Sequence, residues 1–383
     1  MPPTDSGNFR PSRRRFLQVA TAAASGVLLT NCARALLVNA STGTAGQTAG
    51  ATGNTQAASG ATLRIFTWAN YTDDQLLREF REKTGIRAIV DTYDSNETML
   101  AKMQAGGGKA YSIVYPSDYM VEEMRKLNLL ANLDRSRLVG LDQLMPKWQN
   151  PAYDRENAHS IPAVWGTTGL VYDPARIGQE IKGWDYIWDN RDQLNRRITM
   201  IQDPREVLGA VLSFLGHSYN STKPEEIRAA YEKLLEIKPT IASFMTNGWE
   251  DQLASGDLSV SMAYSQDAIA LMAESPNLKY VVPATGSSLW TDTMVIPRTA
   301  PDADAAYAWL NFMLEPENSA RMVERLKIST PNAAAFDKLP EALQRDENLF
   351  PSKAVLAKSE GIIPLPPEVT ALYDQYWTRL TST

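Results

Sequence analysis

The chain has 383 residues, a net charge of −6 at pH 7, two histidines and a single cysteine. An intramolecular disulfide is excluded, and an acidic balance argues against a nucleic-acid partner. The length suits two lobes better than one.

Arg10, Arg13, Arg14 and Arg15 precede a weakly apolar stretch, Phe16 to Thr30, rich in Ala, Leu and Val. That stretch is shorter than the roughly 20 apolar residues a bilayer span needs, so it reads as the apolar region of an export signal. The run Ser12-Arg13-Arg14-Arg15-Phe16-Leu17 looks like a twin-arginine signal, which a dedicated receptor reads. A signal-anchor or a general secretory signal is the plainer alternative. Cys32 follows Leu29-Thr30-Asn31, a run that resembles a lipobox with Asn31 a poor fit, while Ala33-Arg34-Ala35 offers a competing cleavage site. A lipid anchor at Cys32 and a freely soluble mature protein both remain open, and both place the chain outside the cytoplasmic membrane. The signal is assigned to 1–35 and a flexible linker to 36–61; from Ala40 to Ala61 there is neither a charge nor a large apolar side chain to offset ordering entropy. The body, 62–383, keeps 33 basic and 43 acidic residues, a net charge of −10, which favours cationic ligands.

Leu63-Arg64-Ile65-Phe66 predicts a strand, followed by the polar-aromatic turn Thr67-Trp68-Ala69-Asn70-Tyr71. Leu76, Leu77 and Phe80 recur at helical spacing, with Asp73 and Asp74 at the start and Gly85 where a C-cap belongs. Ile86–Val90 predicts a second strand, Ser95–Gln104 a helix stopped by Gly106-Gly107-Gly108, Ser112–Tyr115 a third strand and Tyr119–Leu127 a third helix. This alternation implies crossover units and a mainly parallel sheet. After Gly166-Thr167-Thr168-Gly169 a second alternating region begins: strands at Leu170–Tyr172, Ile198–Ile201 and Val260–Tyr264, helices at Val207–Leu215 and Ile227–Leu235. Two α/β lobes are expected, with the chain crossing between them more than once.

Ligands of open parallel sheets bind beyond the carboxyl ends of the strands. The residues there are Trp68 and Tyr71; Ser117, Asp118 and Tyr119; Asp203 and Glu206; Tyr264 and Asp267; Trp290 and Asp292. The set is aromatic and acidic, with Arg205 its one cation. Anion sites want cations or amide nests, so this set suits an organic cation. Carboxylates would neutralise ammonium groups, and aromatic faces would cover methylenes and add about 0.5–2 kcal/mol per cation-π contact. Each residue also has a plainer role. Trp68 and Tyr71 could pad the core edge, Asp203-Pro204-Arg205-Glu206 reads as an N-cap with Glu206 closing a capping box, Asp267 could be another cap, and Asp292 a turn residue. Enzymatic motifs are missing: no H-E-x-x-H, no G-x-S-x-G and no Gly-rich phosphate loop occurs, and His159 and His217 stand alone.

Six runs carry a family resemblance: Phe66-Thr67-Trp68-Ala69-Asn70-Tyr71, Thr92-Tyr93-Asp94-Ser95-Asn96-Glu97-Thr98-Met99, Pro116-Ser117-Asp118-Tyr119, Ser160-Ile161-Pro162-Ala163-Val164-Trp165-Gly166, Asp203-Pro204-Arg205-Glu206-Val207 and Leu289-Trp290-Thr291-Asp292. Through them 62–383 resembles the spermidine/putrescine-binding proteins of bacterial polyamine ABC importers. The resemblance implies an α/β, two-lobed periplasmic binding protein of type II, each lobe a mixed, mainly parallel sheet flanked by helices, with a hinged cleft. It puts the first lobe at 62–167 with 291–336 and the second at 168–290 with 337–383.

It further implies aromatic walls from Trp68 and Tyr71, polar contacts from Ser117 and Tyr119, carboxylates from Asp203 and Glu206, and Trp290 with Asp292 near the lobe crossing. Two positions depart from the spermidine-binding pattern, Tyr264 for a Trp and Ile328 for a Tyr, while Asp267 matches an acidic position of the putrescine-preferring branch. The expectation is a monomeric receptor, not an enzyme, without cofactor, that passes spermidine or putrescine to an inner-membrane ABC permease with a cytoplasmic ATPase. A receptor for agmatine, γ-aminobutyrate or another small amine or zwitterion is the second reading.

Overall fold

The computed structural model describes residues 61–69 and 71–382. The export signal, Cys32 and all of the linker except Ala61 lie outside the described residues. Nine strands follow in chain order among the described residues: β1 (Thr62–Trp68), β2 (Arg87–Tyr93), β3 (Ile113–Val114), β4 (Ser160–Tyr172), β5 (Ile198–Met200), β6 (Ile241–Phe244), β7 (Val260–Tyr264), β8 (Lys279–Val281) and β9 (Leu289–Val295). They form one sheet in the order β2-β1-β3-β9-β4-β7-β5-β6, with β8 paired to β4.

The opening strand–helix units form as their pattern dictates. Helix α1 (Asp74–Thr84) is capped by Asp73, whose Oδ1 accepts from the Leu76 amide at 2.7 Å, and ends at Gly85 with φ +73°. It buries Leu76 and Phe80, the latter edge-on to Trp309 at 4.9 Å. Helix α2 (Asn96–Gln104) is capped by Ser95, and helix α3 (Asp118–Lys126) begins after Ser117. Strands β2 and β3 both pair parallel with β1.

The middle of the sheet departs from expectation. The run Gly166-Thr167-Thr168-Gly169, after which the sequence predicts a second alternating region, lies inside a single 13-residue strand. Its glycines serve close packing, not turning: a Cβ on Gly166 would meet the Trp290 ring at 2.2 Å, and one on Gly169 the Val281 carbonyl oxygen at 2.3 Å. β4 pairs antiparallel with β9 through Ser160–Thr167, then antiparallel with β7 through Thr168–Tyr172. The sheet is therefore mixed: parallel pairs at its two ends, β1 with β2 and β3, β5 with β6 and β7, and antiparallel pairs around β4 and β9. Antiparallel neighbours need no crossover helix, which is why the βα count failed to announce them.

Helices Pro204–Phe214, Pro224–Ile237 and Pro367–Ser382 close one core, with Val207, Val211, Ile227, Leu234, Tyr373 and Leu380 buried in it. Leu63, Ile65, Phe80, Trp309 and Ile328 belong to another. Leu339 and Leu349 pack with Ala320 and Val323 of the helix Pro316–Leu326.

Candidate functional site

The first group of candidates converges on Asp292. It stands opposite Val164 in the β4–β9 ladder, so it is a strand residue and not the turn residue considered from sequence. Its carboxylate is buried and accepts from two hydroxyls: Ser117 Oγ at 2.6 Å on Oδ1, and the Tyr71 phenol, in a short bond, on Oδ2. Burial pushes the Asp292 carboxyl up to about 6, and the two donors only partly oppose that. Tyr71 is buried, and its carbonyl accepts from Arg325 at 3.0 Å. Trp68, half-buried at the end of β1, packs on Tyr93 at 4.6 Å between ring centres.

Ser117 and Tyr119 are held by a residue not singled out from sequence. Asn96 Nδ2 donates to Ser117 Oγ and to the Tyr119 hydroxyl, each at 3.0 Å, and Asn96 Oδ1 accepts from the Ser117 amide at 3.2 Å. The Tyr119 hydroxyl in turn donates to Glu97 Oε1 at 3.3 Å. Asn96 and Glu97 both lie within the run Thr92–Met99, so the signal was present without a role attached.

The second group starts the helix Pro204–Phe214. Asp203 is its N-cap, Oδ1 accepting from the amides of Arg205 at 2.7 Å and Glu206 at 3.2 Å. The expected capping box is not closed. Glu206 turns its carboxylate to Ser288 Oγ, at 2.8 Å, and to the Tyr219 hydroxyl, at 3.3 Å. It is buried, and burial together with the neighbouring Asp203 charge pushes it up to about 8. Asp203 is also raised, chiefly by burial, against the pull of its two amide donors. No local pattern in the sequence could have named Tyr219 as a partner of Glu206.

Tyr264 ends β7 opposite Thr168 and meets the Trp290 ring edge-on at 6.0 Å. Asp267 lies in the first turn of the helix Ser265–Glu274, but Tyr264 occupies the cap position, so Asp267 is not the cap. Its carboxyl rises to about 6, from burial and then the charge of Glu250. The groups lie within electrostatic reach of one another: Tyr264 is acted on by Glu206, Asp203, Tyr119 and Asp267, and Tyr71 by Asp292 and Asp267.

Among the described residues, Asp203, Glu206, Asp267 and Asp292 make no ion pair, and no cation offsets the raised Asp292 or Asp267. Arg205 lies within electrostatic reach of Asp203 and Glu206 but makes its hydrogen bonds elsewhere: its guanidinium donates to the Ile363 carbonyl at 3.0 Å and to Asn220 Oδ1 at 2.7 Å, and lies 5.2 Å from the Tyr373 ring centre. No group of three or more His, Cys, Asp or Glu side chains among the described residues could hold a metal ion. His159 bonds the Ala131 carbonyl and His217 stands beside Glu226. Carboxylates without an ion-pair partner of their own are chemically suited to accept hydrogen bonds from a cationic donor.

Residues 75–351 match the family model described as bacterial extracellular solute-binding protein. The spermidine/putrescine-binding periplasmic protein of Salmonella typhimurium is 32% identical over 320 residues, 83% of this chain and 91% of that protein. The putrescine-binding periplasmic protein SpuD of Pseudomonas aeruginosa is 30% identical over 354 residues, 86% of this chain and 94% of its own. Among solved structures, the spermidine/putrescine ABC transporter substrate-binding protein PotD of Streptococcus pneumoniae superposes with a TM-score of 0.79 at 34% identity, covering 84% of this chain and 99% of that one. These relatives are binding proteins of transporters, not enzymes. No helix among the described residues is long and apolar enough to cross a membrane. The chain is a bacterial extracellular solute-binding protein, a member of the spermidine/putrescine-binding periplasmic family.

Proposed function

We propose that this protein captures a linear polyamine, spermidine or putrescine, outside the cytoplasmic membrane and delivers it to an ABC import permease. The observation that carries this reading is the set of buried or largely buried carboxylates, Asp203, Glu206, Asp267 and Asp292, which make no ion pair among the described residues, together with the contacting rings of Tyr264 and Trp290. Ammonium groups would supply the missing positive charge, and the methylenes between them would lie on the rings. A zwitterion such as γ-aminobutyrate would bring a carboxylate of its own, and Arg205 is already committed to Ile363 and Asn220. Agmatine, a cation at both ends, is the closer competitor.

Calorimetric titration with spermidine, putrescine, agmatine and γ-aminobutyrate tests the reading. Spermidine or putrescine should bind most tightly; affinity no better than about millimolar for both, weaker than about 4 kcal/mol, would exclude it. Ligand contacts on two hinged lobes, at 62–167 with 291–336 and 168–290 with 337–383, would favour a closed state, so saturating ligand should reduce the radius of gyration in scattering. For export, replacing Arg13 and Arg14 by Lys should block delivery if a twin-arginine receptor reads the signal. Cys32→Ala should release the protein from membranes if that residue carries a lipid.

A further inference from the structure

Ser288 is the residue before β9, and it is wholly buried. Its hydroxyl donates to Glu206 Oε1 at 2.8 Å and stands 2.9 Å from the Thr168 hydroxyl. A serine hydroxyl carries a single hydrogen. With that hydrogen given to Glu206, Thr168 is the donor of the second bond, and the chain of hydroxyls runs one way, from Thr168 through Ser288 to the carboxylate.

The backbone on either side holds Ser288 in place. The Thr168 amide in β4 donates to Ser287 Oγ at 2.9 Å, the Glu360 amide to the Ser287 carbonyl at 3.1 Å, and the Leu289 amide to the Glu360 carbonyl at 2.7 Å. Ser288 itself forms a parallel bridge with Glu360. Three segments far apart in the chain thus fix one hydroxyl, two residues before Trp290 and four before Asp292. Glu206 arrives from a helix on a stem with several rotations of its own, so its carboxylate is oriented by what it bonds. Oε1 goes to Ser288, and Oε2 takes the longer bond, 3.3 Å, from the Tyr219 phenol. An ionised carboxylate has about four acceptor sites. Two neutral donors therefore orient this one, leave its charge intact and leave room for the hydrogens of an ammonium group.

We propose that Ser288, backed by Thr168, is a positioning residue for ligand binding: it holds the Glu206 carboxylate against the entry of β9, the strand that carries Trp290 and Asp292. The proposal rests on the polyamine reading above. It assigns Ser288 no contact with the ligand, because Ser288 acts through Glu206.

The test is calorimetric titration with spermidine from mildly acidic to alkaline pH, alongside unliganded melting. A hydroxyl donor favours the charged carboxylate over the neutral acid, so without it Glu206 ionises at higher pH. Ser288→Ala should displace the rise of affinity with pH upward by about one unit, which is about tenfold weaker binding on the acidic side of the rise. The other charged or titratable groups in electrostatic contact with Glu206 are Asp118, Asp203, Arg205, Tyr219, Tyr264 and Tyr280, and the substitution leaves all of them present. In a Glu206→Gln background nothing titrates at that position, and the same change should leave the pH profile where it was. A merely structural Ser288 would lower melting alone, or weaken binding equally at every pH and in both backgrounds, and either result overturns the proposal. Should Ser288→Ala fail to fold, Thr168→Val removes the donor behind Ser288 while keeping the side-chain shape. It should displace the profile in the same direction, by at least about twofold in affinity on the acidic side, the lower end for one hydrogen bond. An unmoved profile overturns the proposal. Failure of the unsubstituted protein to bind spermidine would remove the functional reading itself, a result distinct from tight binding whose pH profile ignores Ser288.

Discussion

Ser117 and Asp292 lie 175 positions apart and share a hydrogen bond of 2.6 Å. The bond sets the hydroxyl of an α3 cap against a carboxylate in the middle of β9, and the Tyr71 phenol holds the other oxygen. Both Asp292 oxygens thus have neutral donors while the charge stays uncompensated, which orients the carboxylate without neutralising it. Asp292→Asn should keep the strand and lose the charge. Polyamine affinity is expected to fall by about 2–4 kcal/mol, as for breaking a buried charge pair, and titration against the parent measures it. An affinity within a few-fold of the parent would take Asp292 out of the ligand's path.

At the start of the helix Pro204–Phe214, capping and binding can be separated. Asp203 is the cap, whereas Glu206 lies outside it. Asn caps as well as Asp, so Asp203→Asn should move unliganded stability by less than about 1 kcal/mol, while Asp203→Ala should lose about 1 kcal/mol. If Asp203 also faces an ammonium group, the Asn variant should still lose about 2–4 kcal/mol of affinity. Melting and titration on the same pair of variants give both numbers, and a stability loss without an affinity loss leaves Asp203 a cap alone.

The raised Glu206 gives a pH dependence with opposite signs for stability and binding. Its folded value, about 8, lies above the ordinary 4.5, so the fold prefers the neutral acid. That contribution is complete below the ordinary value and lost as pH rises through about 8. Unliganded parent protein should therefore lose melting temperature relative to Glu206→Gln between pH 5 and 9. A cationic ligand prefers the carboxylate, so polyamine binding should strengthen over the same rise and release protons, visible as a dependence of calorimetric heat on buffer ionisation. A stability gap that stays constant with pH would contradict the assignment.

Gly166 leaves room for the Trp290 ring. An added methyl would fall 2.2 Å from Trp290 Cζ2 and 2.6 Å from Ser265 Oγ, so Gly166→Ala must displace one or the other. Overpacking of this kind costs about 1–3 kcal/mol of stability. The tryptophan emission of the unliganded protein should shift, and polyamine affinity should drop with it. Unchanged emission and unchanged binding would mean that the ring has an alternative place without consequence for the ligand.

The first strand–helix units were legible in the sequence because their signals are local: Leu76 and Phe80 at helical spacing, Asp73 before them, Gly85 after. Strand β4 was half legible, since Gly166 and Gly169 carry the same letters whether glycine bends a chain or admits a neighbouring ring. The candidate residues were legible as a chemical set, acidic and aromatic after successive strands. Their plainer roles divided: Asp203 does cap its helix, whereas Glu206, Asp267 and Asp292 neither close the box, nor cap, nor turn.

Composition and residue type, which need no neighbours, settled the character of this protein: acidic residues with few candidate catalysts, and runs specific enough to mark its family. The placement of those residues belonged to the tertiary structure. Whether Asp292 meets Ser117 and Tyr71, whether Glu206 turns to Ser288 and Tyr219, and whether Arg205 turns to Asn220 depend on contacts between segments far apart in the chain. A carboxylate's charge is written in its letter, but its desolvation and its partners exist only once the sheet has brought β4, β7 and β9 side by side.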